Sequence, residues 1–266
     1  MASTSHPADA RTTLTSVTTW RDAATDLLLG SCCAGCSCPG RRLCRPCAGA
    51  LVARPRMAWP DPVPAPLREP AAVTPFCGGA YEGALRELVI AYKDHARHGL
   101  RRPLARMLAD VIAHLAEQLP ARPEQLLLVP IPSAPAAVRR RGHDSLLSLA
   151  CLAAALLRRR GQDVAVGALL QQTRAVLDSA GLSAAERWRN LEGALKVRAA
   201  RVGAGVHGGV VVVDDVITTG ASAAEAVRAL RRAGLTPFAV AAVAATPRRF
   251  ATPVAGVLPR RGLSPG

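Results

Sequence analysis

The segment Val210-Val211-Val212-Val213-Asp214-Asp215-Val216-Ile217-Thr218-Thr219-Gly220-Ala221-Ser222 constrains the fold more than any other part of this chain. Gly209–Val213 is an uninterrupted apolar run of the kind found in strands buried on both faces. The pattern predicts that this strand ends in two adjacent carboxylates. A small, hydroxyl-rich loop then leads into a helix expected over Ser222–Ala233 and stopped by Gly234. Loop amides, hydroxyls and a helix N-terminus together make a phosphate cradle. Asp214 and Asp215 would repel that phosphate, so they suit a neighbouring polyol or a magnesium ion. A phosphate beside a vicinal diol describes a ribose 5-phosphate. The plainer alternative is an ordinary strand-to-helix turn with capping hydroxyls. In an open parallel sheet such a loop lies where ligands bind, at the carboxyl ends of the strands.

The rest of the chain supplies the sheet this segment needs. Strands are expected at Val73–Gly79 (an edge strand), Leu126–Ile131, Val164–Leu170 and Phe238–Ala244. Helices are expected over Glu82–Lys93, Leu100–Leu119 and Asp144–Arg160, the last stopped by Gly161. This alternation predicts an α/β fold with a mostly parallel sheet flanked by helices. Residues 171–190 are polar without a clean period and read as a mobile lid over the site. Six prolines fall within residues 54–70, which read as a semi-rigid linker without ladder pairing. The expected organisation is a disordered leader at 1–15, a small cysteine module at 16–53 and the linker at 54–70. The α/β domain follows at 71–248 and a flexible tail at 249–266. Within the first module, Trp20–Leu29 is a short amphipathic segment.

Composition narrows the function classes. Half of the 266 residues are hydrophobic, which excludes a disordered polyelectrolyte, and no apolar run reaches the ~18 residues of a spanning helix. The start lacks the features of a signal peptide, so a cytoplasmic location is expected. The formal net charge is +15, and Lys93 and Lys196 are the only lysines among the cations. Arginine in place of lysine, with abundant alanine, is what a GC-rich coding sequence produces. The excess is also what attracts phosphate or nucleic acid. Aromatics make up only 3% of the chain, which argues against a stacking platform for single-stranded bases. Arg139, Arg140 and Arg141 follow the Leu126–Ile131 strand and can meet a diphosphate, or can simply be the solvated basic start of the next helix. Lys93, at the end of its helix, can reach an anion or stand as a surface lysine.

Cys33-x2-Cys36 and Cys44-x2-Cys47 form two knuckles seven residues apart. Four thiolates make a closed, structural tetrahedral site, and zinc is the metal that such a set prefers. A redox pair or an unmetallated cluster is the alternative. Cys32 and Cys38 lie in the same stretch, so spacing alone does not single out the ligand set. Cys77 and Cys151 sit in apolar surroundings and read as buried packing residues.

The Val210–Ser222 segment resembles the phosphoribosyl-diphosphate (PRPP) signature of the type I phosphoribosyltransferases. In that family the paired acids meet the ribose hydroxyls and the loop holds the 5-phosphate. The resemblance therefore assigns the first role to Asp214 and Asp215, and the second to Thr218, Thr219, Gly220, Ala221 and Ser222. Further stretches resemble the ComF family of competence-associated, phosphoribosyltransferase-like proteins. They are the Cys33/Cys36/Cys44/Cys47 knuckles, Tyr81-Glu82-Gly83 leading to Tyr92-Lys93, and Val129-Pro130-Ile131-Pro132 followed by Arg141-Gly142. Thr173-Arg174, Gly181-Leu182-Ser183 and Arg187–Asn190 complete the pattern, which runs from about residue 25 to 248. The resemblance implies a type I phosphoribosyltransferase-like fold with an N-terminal zinc finger. It also implies PRPP or a related ribose phosphate as ligand, with magnesium, and Arg139–Arg141 and Lys93 on the diphosphate side. Two functions fit: transfer of phosphoribosyl to an acceptor, or a non-catalytic accessory role in DNA uptake. In the second, PRPP, single-stranded DNA or DNA-uptake proteins would be the partners.

Overall fold

In the computed structural model the described residues are 31–95, 97–118, 123–174, 184–198 and 208–247. The leader at 1–15, the Trp20–Leu29 segment and the tail at 249–266 lie outside them. So does Gly181-Leu182-Ser183.

The strands are β1 (Arg56–Met57), β2 (Thr74–Ala80), β3 (Leu126–Pro130), β4 (Val164–Val166), β5 (Leu170–Gln172), β6 (Leu195–Val197), β7 (Gly209–Ile217) and β8 (Pro237–Ala245). The helices are α1 (Arg45–Gly49), α2 (Ala65–Arg68), α3 (Gly83–Asp94), α4 (Arg101–Glu117), α5 (Pro135–Arg141), α6 (Ser145–Arg158), α7 (Ala184–Leu191) and α8 (Ala221–Arg232). Among the described residues the main sheet runs in the order β1-β2-β8-β7-β3-β4. It is parallel throughout except for β1, which pairs antiparallel to β2. β5 and β6 form a separate antiparallel pair.

Burial follows from this topology. β3 is buried along its whole length, and β7 and β8 nearly so, as expected of strands covered on both faces. The β3–α6–β4 crossover moves along the sheet in one direction, and β7–α8–β8 moves in the other. Right-handed crossovers then place α6 and α8 on opposite faces. α4 packs on α6, β2 and β8, through a stripe of Leu104, Leu108, Val111, Ile112 and Leu115. α8 packs on β7 and β8 and carries α2, α7 and β6 on its outer side. Between these two crossovers, at the carboxyl ends of β3 and β7, the winding of the sheet reverses, the position at which a ligand crevice forms in open parallel sheets. Among the described residues no helix is long and apolar enough to cross a membrane.

Several expectations are corrected. Residues 54–70 are not a free linker: Arg56 and Met57 pair with Cys77 and Phe76, so β1, not β2, is the sheet edge. The prolines flank this two-residue strand and leave its ladder intact, a position proline tolerates. Leu67 in α2 is fully buried. Arg231 of α8 donates to the carbonyls of Pro66 (2.7 Å), Glu69 and Ala71 (2.6 Å), binding the segment down. The apolar run at 164–170 is two strands, split at Gly167, because Leu170–Gln172 turns away to pair with β6. The region after β3 is not wholly loop, since Pro135–Arg141 forms α5, closed by Gly142 in a left-handed conformation at φ 76°. Part of the expected lid, at 171–190, is regular: β5 and α7 occupy its ends, and residues 175–183 lie outside the described set. Cys77 is buried as expected, whereas Cys151 is exposed on the outer side of α6.

Candidate functional site

Asp214 and Asp215 lie within β7 and not beyond its end, because the strand keeps pairing with β8 as far as Ile217. The alternation of a strand then gives the two side chains different surroundings. Asp214 is 9% exposed, and its Oδ1 accepts from the Asp215 amide at 2.8 Å. Burial, reinforced by the neighbouring Asp215 carboxylate, pushes its carboxyl up to about 8. Asp215 is more open. Its Oδ1 accepts from the Val216 amide at 2.8 Å, and its Oδ2 lies 2.6 Å from Lys93 Nζ. Burial works against the Lys93 ammonium, but Asp215 and Asp214 outweigh it, so the lysine is held above its ordinary range. Lys93, which the resemblance assigns to the diphosphate side, pairs with Asp215 in this structure.

The loop follows directly. Thr218 is exposed, Thr219 and Ser222 are half-buried, and Gly220 and Ala221 are buried. Gly220 occupies the N-cap of α8 at φ 72°, a left-handed conformation that glycine adopts without strain. A glycine N-cap brings no side-chain acceptor of its own to the first turn of this helix. A Cβ at Gly220 would lie 2.6 Å from Pro60 Cγ, so the 54–70 segment rests directly on the loop.

Across the crevice, after β3, Ser133 donates from its amide (3.1 Å) and its hydroxyl (2.9 Å) to Asp144. Asp144 also accepts from the Leu146 and Leu147 amides, capping α6. One carboxylate therefore fixes both the loop after β3 and the helix behind it. The three arginines of α5 are not equivalent. Arg139 and Arg140 are exposed, and Arg140 stands 3.8 Å from Asp94, one residue beyond Lys93. Arg141 is half-buried and donates to Ser145 Oγ at 2.6 Å, while its buried Nε has no partner among the described residues. His143 meets His98, the ring centroids being 5.2 Å apart. Through Arg140–Asp94 and His98–His143, α5 is drawn to the end of α3 that carries Lys93. A water-sized cavity of about 10 Å³ lies behind the ion pair, lined in part by Tyr92, Lys93, Ser145 and Asp215.

The cysteines form a second, separate centre. Sγ atoms of Cys33, Cys36, Cys38 and Cys44 all lie within 4.8 Å of one another. The Cys33–Cys44 and Cys36–Cys44 separations are 3.5 and 3.6 Å. Tetrahedral ligation at ~2.3 Å would place sulfurs about 3.8 Å apart, so this set can hold a metal ion. Cys33 Sγ accepts from the Cys44 amide (3.4 Å) and the Gly35 amide (3.5 Å). Burial opposes its thiolate, but these amides prevail and bring it down to about 6. The Cys38 thiol, sharing a hydrogen bond with Cys36, is pushed up to about 12. Cys47 is 3% exposed beneath Gly35, where an added Cβ would lie 2.8 Å from its sulfur and 3.3 Å from Leu88 of α3. Burial, with the neighbouring Cys44, Cys36 and Cys33 thiols, pushes its thiol up. The group that can hold an ion thus contains Cys38, from outside the two knuckles, with Cys47 adjoining it. Cys32 is exposed and pairs through its backbone with Pro39.

Sequence reasoning missed the Asp215–Lys93 pair, the contact of Pro60 with Gly220 and the role of Asp144 in holding the Ser133 turn. Only the last had a visible signal: an aspartate immediately before an apolar-periodic run. A scan of the sequence against protein-family models matches none, and no curated protein matches it.

Proposed function

We propose that this protein is a type I phosphoribosyltransferase-like protein of the ComF kind, which binds PRPP or a related ribose phosphate in the crevice between β3 and β7. One observation carries the reading: a paired-acid strand runs into a glycine-capped helix N-terminus at the reversal point of a parallel sheet. In this reading the amides and hydroxyls of Thr218–Ser222 hold the 5-phosphate. Asp214 and Asp215 accept from the ribose hydroxyls. The half-buried Arg141, whose Nε lacks a partner among the described residues, and the exposed Arg139 attract the diphosphate.

Phosphoribosyl transfer passes through a cationic sugar, so the work of the protein is positioning and charge stabilisation. The loop anchors one end of the sugar phosphate and the acids orient the ring. The arginine side then draws off the negative leaving group as an acceptor reaches the anomeric carbon. Magnesium, when bound to the diphosphate, would neutralise charge on the leaving group. The cysteine cluster, filled by zinc, would be a structural staple that fixes the N-terminal module against α3.

Isothermal titration of the full chain with PRPP and magnesium tests the binding. Saturable one-to-one binding, weakened at least tenfold by the Asp214→Asn/Asp215→Asn double variant, is expected. No binding overturns the reading. Release of diphosphate from PRPP in the presence of purine and pyrimidine bases then separates a transferase from a binder.

A non-catalytic, polyanion-binding role has its own support. Arg97, His98 and Arg101 are exposed, and His98 meets His143, which follows directly on the helix that carries the exposed Arg139 and Arg140. A gel shift with single-stranded DNA that weakens with salt and is lost on neutralising Arg139–Arg141 would favour it.

A further inference from the structure

We propose that Lys93 is a built-in counter-ion of the Asp214–Asp215 pair, which keeps a divalent cation off these carboxylates and so reserves them for uncharged hydroxyls. The inference rests on the ribose-phosphate reading for the identity of the hydroxyls, but not for the exclusion of the cation.

The geometry argues first. Of the four carboxylate oxygens, three already accept from protein donors: Asp214 Oδ1 from the Asp215 amide, Asp215 Oδ1 from the Val216 amide, and Asp215 Oδ2 from Lys93 Nζ at 2.6 Å. A magnesium- or manganese-type ion needs oxygens with full negative charge and near-octahedral freedom around them. Here one oxygen of the more open of the two carboxylates is taken by an ammonium. A sugar hydroxyl asks for less. It needs one lone pair, and each of these oxygens keeps one after its protein bond.

Charge argues in the same direction. Asp214 is buried beside Asp215, and its ionisation is opposed by both its burial and its neighbour. The pair therefore carries close to one negative charge near neutrality, and Lys93 cancels it. What remains is a polar but nearly neutral floor. Asp94, next in sequence, also favours the Lys93 ammonium, and it stands 3.8 Å from Arg140, which offsets its charge. The lysine sits in the last turn of α3, where the helix dipole favours a cation.

The residue type is informative as well. This chain uses arginine almost wherever it needs a cation, and Lys93 is one of its two lysines. A guanidinium fork would engage both oxygens of Asp215, adding a second donor to the Oδ1 that already accepts from the Val216 amide. A compact ammonium engages one.

The test uses Mn²⁺ as probe, followed by electron paramagnetic resonance on the full chain. Wild type is expected to show no Mn²⁺ binding at this pair up to about 1 mM. Lys93→Met, or Lys93→Gln where the first is poorly folded, should bind Mn²⁺ at least tenfold more tightly than wild type. Adding Asp215→Asn should abolish the gain, and Lys93→Arg should behave as wild type. A merely structural lysine would change the melting temperature but would create no Mn²⁺ site. Identical Mn²⁺ binding in wild type and both neutral variants overturns the proposal. Ribose 5-phosphate binding in EDTA forms the second arm. Binding by wild type supports the assignment of the hydroxyls. Its failure, with the Mn²⁺ pattern intact, removes the sugar reading and leaves the counter-ion standing.

Discussion

The contact between Pro60 and Gly220 joins two parts of the chain that sequence reasoning kept apart, and a substitution at Gly220 measures it. Gly220→Ala introduces two separable penalties. The first is backbone strain: at φ 72° an L-residue costs roughly 1–2 kcal/mol. The second is steric, because the new Cβ would lie 2.6 Å from Pro60 Cγ, well inside ordinary contact. Relieving such an overlap in a packed setting costs about 1–3 kcal/mol. The variant should therefore lose roughly 2–5 kcal/mol in urea unfolding at neutral pH. Pro60→Ala deletes the atom at 2.6 Å and leaves only the milder approach of Cβ at 3.2 Å, with the backbone strain unchanged. In that background Gly220→Ala should lose only about 1–2 kcal/mol, and the double-mutant cycle should give a coupling of about 1–3 kcal/mol. An equal penalty in both backgrounds would refute the docking of the 54–70 segment on the loop. No penalty in the Pro60→Ala background would refute the left-handed conformation at Gly220.

Two further perturbations test the acid pair and the cysteine cluster. The Asp214 carboxyl titrates near 8 when folded and near its ordinary value of 3.8 when unfolded, so the folded state holds the extra proton between them. Stability should fall as pH rises from about 4 to about 8, with a slope from this group of up to ~1.4 kcal/mol per pH unit. Asp214→Asn should flatten that slope in denaturant titrations, and an unchanged slope would contradict the burial argument. For the cysteines, metal analysis of the purified chain should return one zinc, lost in Cys33→Ser and Cys44→Ser. Comparing Cys38→Ser with Cys47→Ser decides the fourth ligand, since a closed four-sulfur site needs only one of them. Retention of zinc in the Cys33→Ser/Cys44→Ser double variant would contradict a site built on those sulfurs.

What could be read in the sequence is what depends on local pattern. Val210–Val213 and Leu126–Val129 are apolar runs with nothing polar to hide, and both are central strands. The helices at α3, α4 and α6 carry their periodicity openly, and the alternation of elements gave the mostly parallel sheet. The length of β7 was less visible, because two carboxylates look like the end of a strand. The structure tolerates them by feeding amides to their oxygens and setting Lys93 against Asp215. α5 was missed because it presents no apolar face: none of its residues is buried. Its boundaries were nevertheless marked, by Pro135 at the start and Gly142 at the stop. β1 had no signal at all, being two exposed residues whose pairing depends on where β2 runs. The Lys93–Asp215 pair joins residues more than a hundred positions apart, and no local rule reaches that far.

The central claim is that the crevice between β3 and β7 receives a ribose phosphate, with the phosphate on the Thr218–Ser222 loop and the sugar on the acids. Amide chemical-shift mapping of the isotope-labelled full chain with PRPP and magnesium tests it most directly, because it reports where the ligand sits as well as whether it binds. The account predicts saturable shifts at Asp215, Val216 and Thr218–Ser222, with smaller ones at Ser133 and Arg141, all lost in the Asp214→Asn/Asp215→Asn variant. Shifts confined to the exposed arginine surface, or none at saturating PRPP, would contradict it.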